Sequence, residues 1–218
     1  MKISSKNKPL RIAQVAPLWY KVPPEGYGCT ELIVSRLTEE FVRRGYDVTL
    51  FASGDSKTKA KLVSIVDKNL FELNVPWLYG SQNMVNLIEA FERYEQFDII
   101  HTHIDVFDPV VRGYNQHIPS IATLHNPFWP MPNDPDKNKR WHAFNGRVML
   151  YDKFPKLPYV SISDNYRKQC VANINFAKTI YHGVDAQALK FNSNGGEHFV
   201  WLGRISPSKG VHVAARIA

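Results

Sequence analysis

Short apolar runs alternate with amphipathic helical patterns along most of this chain, and that alternation limits the fold more than any other feature. LRIAQVAP (10–17) reads as a buried strand. After a Pro- and Gly-rich loop, LWYKVPPEGYGC, the stretch TELIVSRLTEEFVRRGYDV has helical periodicity, and DVTLFAS (47–53) returns as a strand. The pattern continues with a weaker strand KLVSIV (61–66), a helix over 81–96, strands FDIIHTH (97–103) and PSIATLH (119–125), and a helix around 139–152. Strands PYVSIS (158–163) and AKTIYHGVD (177–185) flank the helix DNYRKQCVAN. Strands separated by helices predict an α/β fold with a parallel sheet covered on both faces. Nearly continuous apolar strands fit burial on both sides.

In such sheets ligands bind beyond the carboxyl ends of the strands. The less ordinary residues cluster at those ends: the glycine loop after the first strand, His101, His103, His125, Ser163 and Asp185. HTH places two imidazoles on one face of a strand, and His125 would make a third. Local hydrogen bonding is the preferred account over a metal site, and no metal is assigned. His125, at a strand end before NPF, is the candidate for contact with a polar substrate.

Gly26 and Gly28 in EGYGCTE precede a helix. The loop is too long for a dinucleotide fingerprint, and Glu31 stands where its third glycine belongs; no Gly-Lys-Ser/Thr follows to make a P-loop. Backbone at a glycine-rich helix start still admits close approach of a ligand. Thr30 is the expected N-cap of that helix and Gly45 its C-terminal stop. Asp105 and Asp164 are read as helix caps, and Asp185 as a turn or hinge residue.

FVWLGRISPSKG (199–210) reads as a strand, a turn glycine and a new helix, with Ser206 at the N-cap and Pro207 at the first helical position. Arg204 and Lys209 there could hold phosphate at a helix start, or stand as solvated surface cations. A polar stretch over 186–197 marks a domain boundary. The expected organisation is a domain over 1–185, a linker over 186–197, and the first strand and helix start of a second domain over 198–218.

Composition narrows the function classes. The 218 residues are 44% apolar, and no apolar run reaches the roughly 18–20 residues that span a bilayer. The N-terminus lacks the features of a secretory signal. Two unpaired cysteines, Cys29 and Cys170, exclude a disulfide framework and fit a reducing cytoplasm. The net charge of +7 is spread along the chain. It suits a solvated surface, or attraction to anionic substrates or an anionic membrane surface, and no nucleic-acid-binding motif is present.

Taken in order, RIAQVAP, EGYGCTE, FDIIHTH, SIATLHN, YVSIS, IYHGVD and FVWLGRISPSKG resemble glycosyltransferase family 4. The resemblance implies the GT-B fold, two Rossmann-like domains facing a cleft. It implies retaining transfer of a sugar from a nucleotide-sugar, with no cofactor and no metal. The N-terminal domain would receive a glycan, lipid-linked or small-molecule acceptor, and the C-terminal domain would hold the donor. By matching motifs, Gly26 and Gly28 would lie near the donor phosphates, His125 would face the donor sugar, and Arg204 and Lys209 would neutralise the diphosphate. The sequence departs from the family at Cys29, where another glycine is common, and at Asn126, where aspartate is common. The family's downstream pair of glutamates has no counterpart before Ala218, so this chain is expected to be an N-terminal piece with little activity alone. The alternatives are a non-catalytic module binding glycan or lipid head groups, or a nucleotide-sugar epimerase of the same fold. The expected location is cytoplasmic, with peripheral membrane contact open.

Overall fold

The computed structural model describes residues 8–76, 79–126, 146–170, 172–203, 205 and 209–217. Seven strands form one sheet: β1 (Arg11–Val15), β2 (Asp47–Phe51), β3 (Lys61–Val63), β4 (Ile99–Thr102), β5 (Ser120–Leu124), β6 (Pro158–Ser161) and β7 (Asn175–Thr179). Their order is β3-β2-β1-β4-β5-β6-β7 and all pairs are parallel. Parallel neighbours cannot be joined by a tight turn, so each connection crosses over the sheet, mostly through helices. The helices are α1 (Cys29–Arg43), α2 (Gln82–Glu92), α3 (Asp108–Tyr114), α4 (described over 146–153), α5 (Asp164–Gln169) and α6 (Val211–Ile217). The Rossmann-like reading of the sequence is the observed architecture.

The alternation of side chains along each strand sorts the core into layers. On one face Ala13, Val15, Phe51 and Ile100 pack under Leu87, Ala90 and Phe91 of α2 and Val111 of α3. The other face of β1 and β2 buries Ala16, Leu50 and Ala52 against Val34 of α1. A further cluster joins Ala122, Leu124 and Tyr159 to Tyr151 of α4 and Tyr166 of α5.

The ends of α1 show how local chemistry sets boundaries. Its C-terminus is a Schellman closure: Gly45, at φ +85°, donates to the Val42 carbonyl, and the Tyr46 N–H returns to the Phe41 carbonyl. The Phe41 and Tyr46 rings meet edge to face at 5.8 Å. Gly45 is thus the expected stop. At the other end the cap is Gly28, not Thr30, because the helix begins at Cys29, two residues earlier than a Thr30 cap would set it. Similarly, Ser163 rather than Asp164 caps α5: its hydroxyl accepts from the Tyr166 N–H at 3.0 Å. Asp105 caps no helix, since α3 begins at Asp108 behind Phe107.

Three expected strands differ most in extent, and β3 already ends at Val63 rather than at 66. β7 starts at Asn175 and ends at Thr179, leaving YHGVD outside the sheet. Residues 198–203 carry no strand. Phe199, Val200 and Leu202 are exposed, because no described strand lies beside them to pair with and cover them. A helix does follow, α6. The expected N-cap Ser206 and Pro207, and residues 139–145 of the expected helix, lie outside the described residues.

Candidate active site

The sheet order reverses direction between β1 and β4, and the crevice at the carboxyl ends of those two strands is where open α/β sheets bind ligands. Gln14 and His101 are register partners across that pair. Their side chains start a hydrogen-bonded chain along the strand tips. His101 Nδ1 lies 3.3 Å from the Gln14 amide nitrogen, and its Nε2 lies 2.8 Å from Thr123 Oγ1. The Gln14 amide oxygen meets His103 Nε2 at 2.9 Å, and His103 Nδ1 meets His125 Nε2 at 3.0 Å. His125 Nδ1 in turn lies 3.3 Å from His182 Nε2.

The two-residue spacing in HTH, matched by Thr123 on β5 and His125 just past its end, explains the shared face. His101, His103 and His125 each use both ring nitrogens on neighbours and His182 uses Nε2, as the local hydrogen-bonding account expects. Gln14 is fully buried and His103 nearly so, while His182 is exposed. Burial, reinforced by the neighbouring imidazoles, pushes His101 down to about 3 and His103 well below the usual histidine range. Burial, then His182, lowers His125 to about 4, and burial also lowers His182. The rings are therefore neutral at pH 7.

His182 belongs to HGVD, which leaves the sheet after β7. Arg36 of α1 donates to the Gly183 carbonyl at 3.1 Å and fastens this segment over the α1 side. Asp185 accepts from the Gln187 N–H at 3.1 Å, the turn role expected of it.

The loop after β1 forms the other wall. Asn83 of α2 accepts from the Leu18 N–H at 2.7 Å, and Asn86 donates to the carbonyls of Ala16 and Phe51. Ser56 accepts from the Val22 N–H at 2.9 Å. Gly26 and Gly28 take φ of +86° and +139°. A Cβ on Gly28 would stand 2.6 Å from Pro24 Cβ, whereas one on Gly26 meets open space. Glu31, in the first turn of α1, is buried and pushed up to about 7 by desolvation, although the N–H groups of Glu31 and Tyr20 oppose that shift. Its carboxyl thus already occupies donors at this helix start. Beside the loop, Trp19, Tyr20, Phe71, Asn74, Val75 and Pro76 line a cleft of about 220 Å³.

Asp105 and Asn126 form a second polar cluster at the tips of β4 and β5. The Tyr151 hydroxyl donates to Asp105 Oδ1 at 3.0 Å, Asn126 donates to Asp105 Oδ2 at 2.8 Å, and Arg147 pairs with Asp105. Tyr166 donates to the Asn126 carbonyl at 2.7 Å.

The structure brings His125 to the strand tips and gathers Gly26 and Gly28 in the loop beyond β1. Lys209 sits in the turn before α6, its carbonyl accepting from Trp201 Nε1 at 3.0 Å, and it makes no described contact with the histidines. Arg204 lies outside the described residues. Sequence reasoning missed Gln14 and His182. Gln14 is a polar residue inside an apolar strand, the signal that could have marked it.

The profile of Glycosyltransferase Family 4 matches residues 30–188, and the chain belongs to that family. Sucrose-phosphate synthase from Thermosynechococcus elongatus has a similar fold, with a TM-score of 0.58 at 15% identity over 82% of this chain and 49% of that one. This chain therefore spans about half the length of that protein. AviGT4, a glycosyltransferase involved in avilamycin A biosynthesis, aligns with a TM-score of 0.42 at 19% identity, over 76% of this chain and 41% of that one. No curated protein matches the chain. The fold and family place the chain among glycosyltransferases of GT-B type, and no helix among the described residues is long and apolar enough to cross a membrane.

Proposed function

We propose that this chain is the acceptor-side domain of a retaining glycosyltransferase that takes its sugar from a nucleotide-sugar without a metal. Residues 186–197 act as the linker and residues 198–218 open the donor-binding domain. The observation that carries this reading is the neutral histidine chain laid across the β1/β4 crevice of a family 4 chain. Neutral imidazoles hydrogen-bond sugar hydroxyls without adding charge.

The Gly26–Gly28 loop approaches the donor from one side and His125 belongs to the opposite wall. Arg204 and Lys209 meet the diphosphate, where fixed cations stabilise the negative charge that grows on the leaving group. The aromatic faces of Trp19, Tyr20 and Phe71 suit an acceptor with apolar ring faces, a glycan or a lipid-linked sugar. The protein works in the cytoplasm.

The test is a donor screen on the full-length protein, reading nucleoside diphosphate released in the presence of candidate acceptors. Release with one donor, and its loss in His125→Ala, supports the reading. Absence of release with every nucleotide-sugar overturns it.

A further inference from the structure

The Gln14 amide presents opposite hydrogen-bonding ends to two histidines. Its N–H group faces His101 and its oxygen faces His103. A neutral imidazole has one donor and one acceptor nitrogen, so each assignment forces the next. His101 accepts at Nδ1 and therefore donates from Nε2 to Thr123. His103 donates from Nε2 to Gln14, so its Nδ1 accepts from His125 Nε2–H. His125 Nδ1 then accepts from His182 Nε2–H. All four rings hold the Nε2–H tautomer, and every bond points the same way.

Both nitrogens of His125 are consumed inside this chain. The ring planes of His125 and His182 lie within 20° of each other at a centroid separation of 5.1 Å. The acceptor lone pair that His125 would otherwise offer is passed outward to His182. His182 Nδ1 has no partner among the described residues, on an exposed side chain whose segment is held by Arg36.

Resting on the sugar-transfer reading, we infer that His182 is the ring that touches substrate, its Nδ1 accepting a hydrogen bond from a sugar hydroxyl. Gln14 is the positioning residue that sets the tautomer, and His125 transmits it. The site thereby selects hydroxyl donors. A ligand group that can only accept, such as an ether or carboxylate oxygen, meets a lone pair there.

Long-range proton–nitrogen correlation spectra of the nitrogen-15-labelled chain at pH 7, assigned with single histidine variants, read the tautomers directly. The expected result is Nε2–H at His101, His103, His125 and His182. An Nδ1–H ring at any of them overturns the inference. Gln14→Glu replaces the donor facing His101 by an acceptor, so His101 alone flips to Nδ1–H; four unchanged rings in the folded variant would reject Gln14 as the positioning group.

Substrate contact is read on the full-length protein with the donor and acceptor found by the screen. His182→Phe keeps a planar ring and removes the acceptor nitrogen. It should raise KM at least about tenfold for one substrate, the donor or the acceptor, which tells whose hydroxyl is bound. His182→Asn, which restores an acceptor oxygen, should recover part of the loss. Unchanged KM for both substrates in His182→Phe overturns the contact. Correct tautomers with no transfer by the wild-type protein would instead refute the proposed function, so the two failures remain distinct.

Discussion

Arg112 of α3 and Asp108 of the same helix pair at 3.0 Å with neither side chain exposed. The guanidinium also donates to Ser120 Oγ and to the carbonyls of Ser120 and Pro158, and it lies 4.9 Å from the Tyr159 ring centre. Asp108 additionally accepts from Thr102. One residue thus ties α3 to β5 and β6, and its partner ties it to β4.

Removing one member of a buried pair strands the other as an uncompensated charge. Arg112→Leu should lower unfolding free energy by about 3–5 kcal/mol. The double variant Asp108→Leu/Arg112→Met should recover much of that loss, since no charge is then left buried. Urea denaturation of the chain measures both, and a double variant as unstable as the single would contradict this account.

The two loop glycines should respond differently to alanine. Gly26→Ala imposes a left-handed backbone on a residue with a Cβ, at about 1–2 kcal/mol. Gly28→Ala adds the clash with Pro24, so its cost exceeds that of Gly26→Ala and the start of α1 shifts. Thermal unfolding of the pair checks the order, and equal midpoints would show that Pro24 yields.

Acid should destabilise the chain through its histidines. Their folded pKa values lie below the unfolded value of about 6.5, at about 3 for His101 and about 4 for His125. The unfolded chain therefore binds more protons below pH 6.5, and stability falls as pH drops from there toward 4. Each such ring contributes up to about 1.4 kcal/mol per pH unit. Glu31 works the other way. Its raised pKa of about 7 means the folded state binds the extra proton, so its contribution is full below the unfolded carboxylate value and is lost as pH rises through 7. Unfolding midpoints from pH 7.5 to 4.5 should fall on acidification, and Glu31→Gln should fall more steeply and be the more stable protein above pH 7.

The sheet was legible because its strands are apolar runs bounded by glycine, proline and charge, and that pattern responds to local burial. The strand tips followed from it, and with them His101, His103 and His125. Gln14 and His182 were hidden for opposite reasons. Gln14 sits within an apolar strand and gains its role only from a partner 87 residues away. His182 lies in a segment whose strand pattern continues past the point where pairing with β6 ends, at Ser161 and Thr179. Arg112 was equally silent, since a lone arginine in VVRGY reads as surface until β5 and β6 close around it. The apolar run over 198–203 misled because sequence pattern reports what a segment can pair with, not whether a neighbour lies beside it.

The central strands β1 and β4 pair Ile12 with Ile99, and everything between them must be synthesised before they meet. A nascent chain can therefore set Gln14 beside His101 and His103 before His125 and His182 have been made. The relay is complete only after all seven strands have been synthesised, because its outermost ring, His182, follows β7.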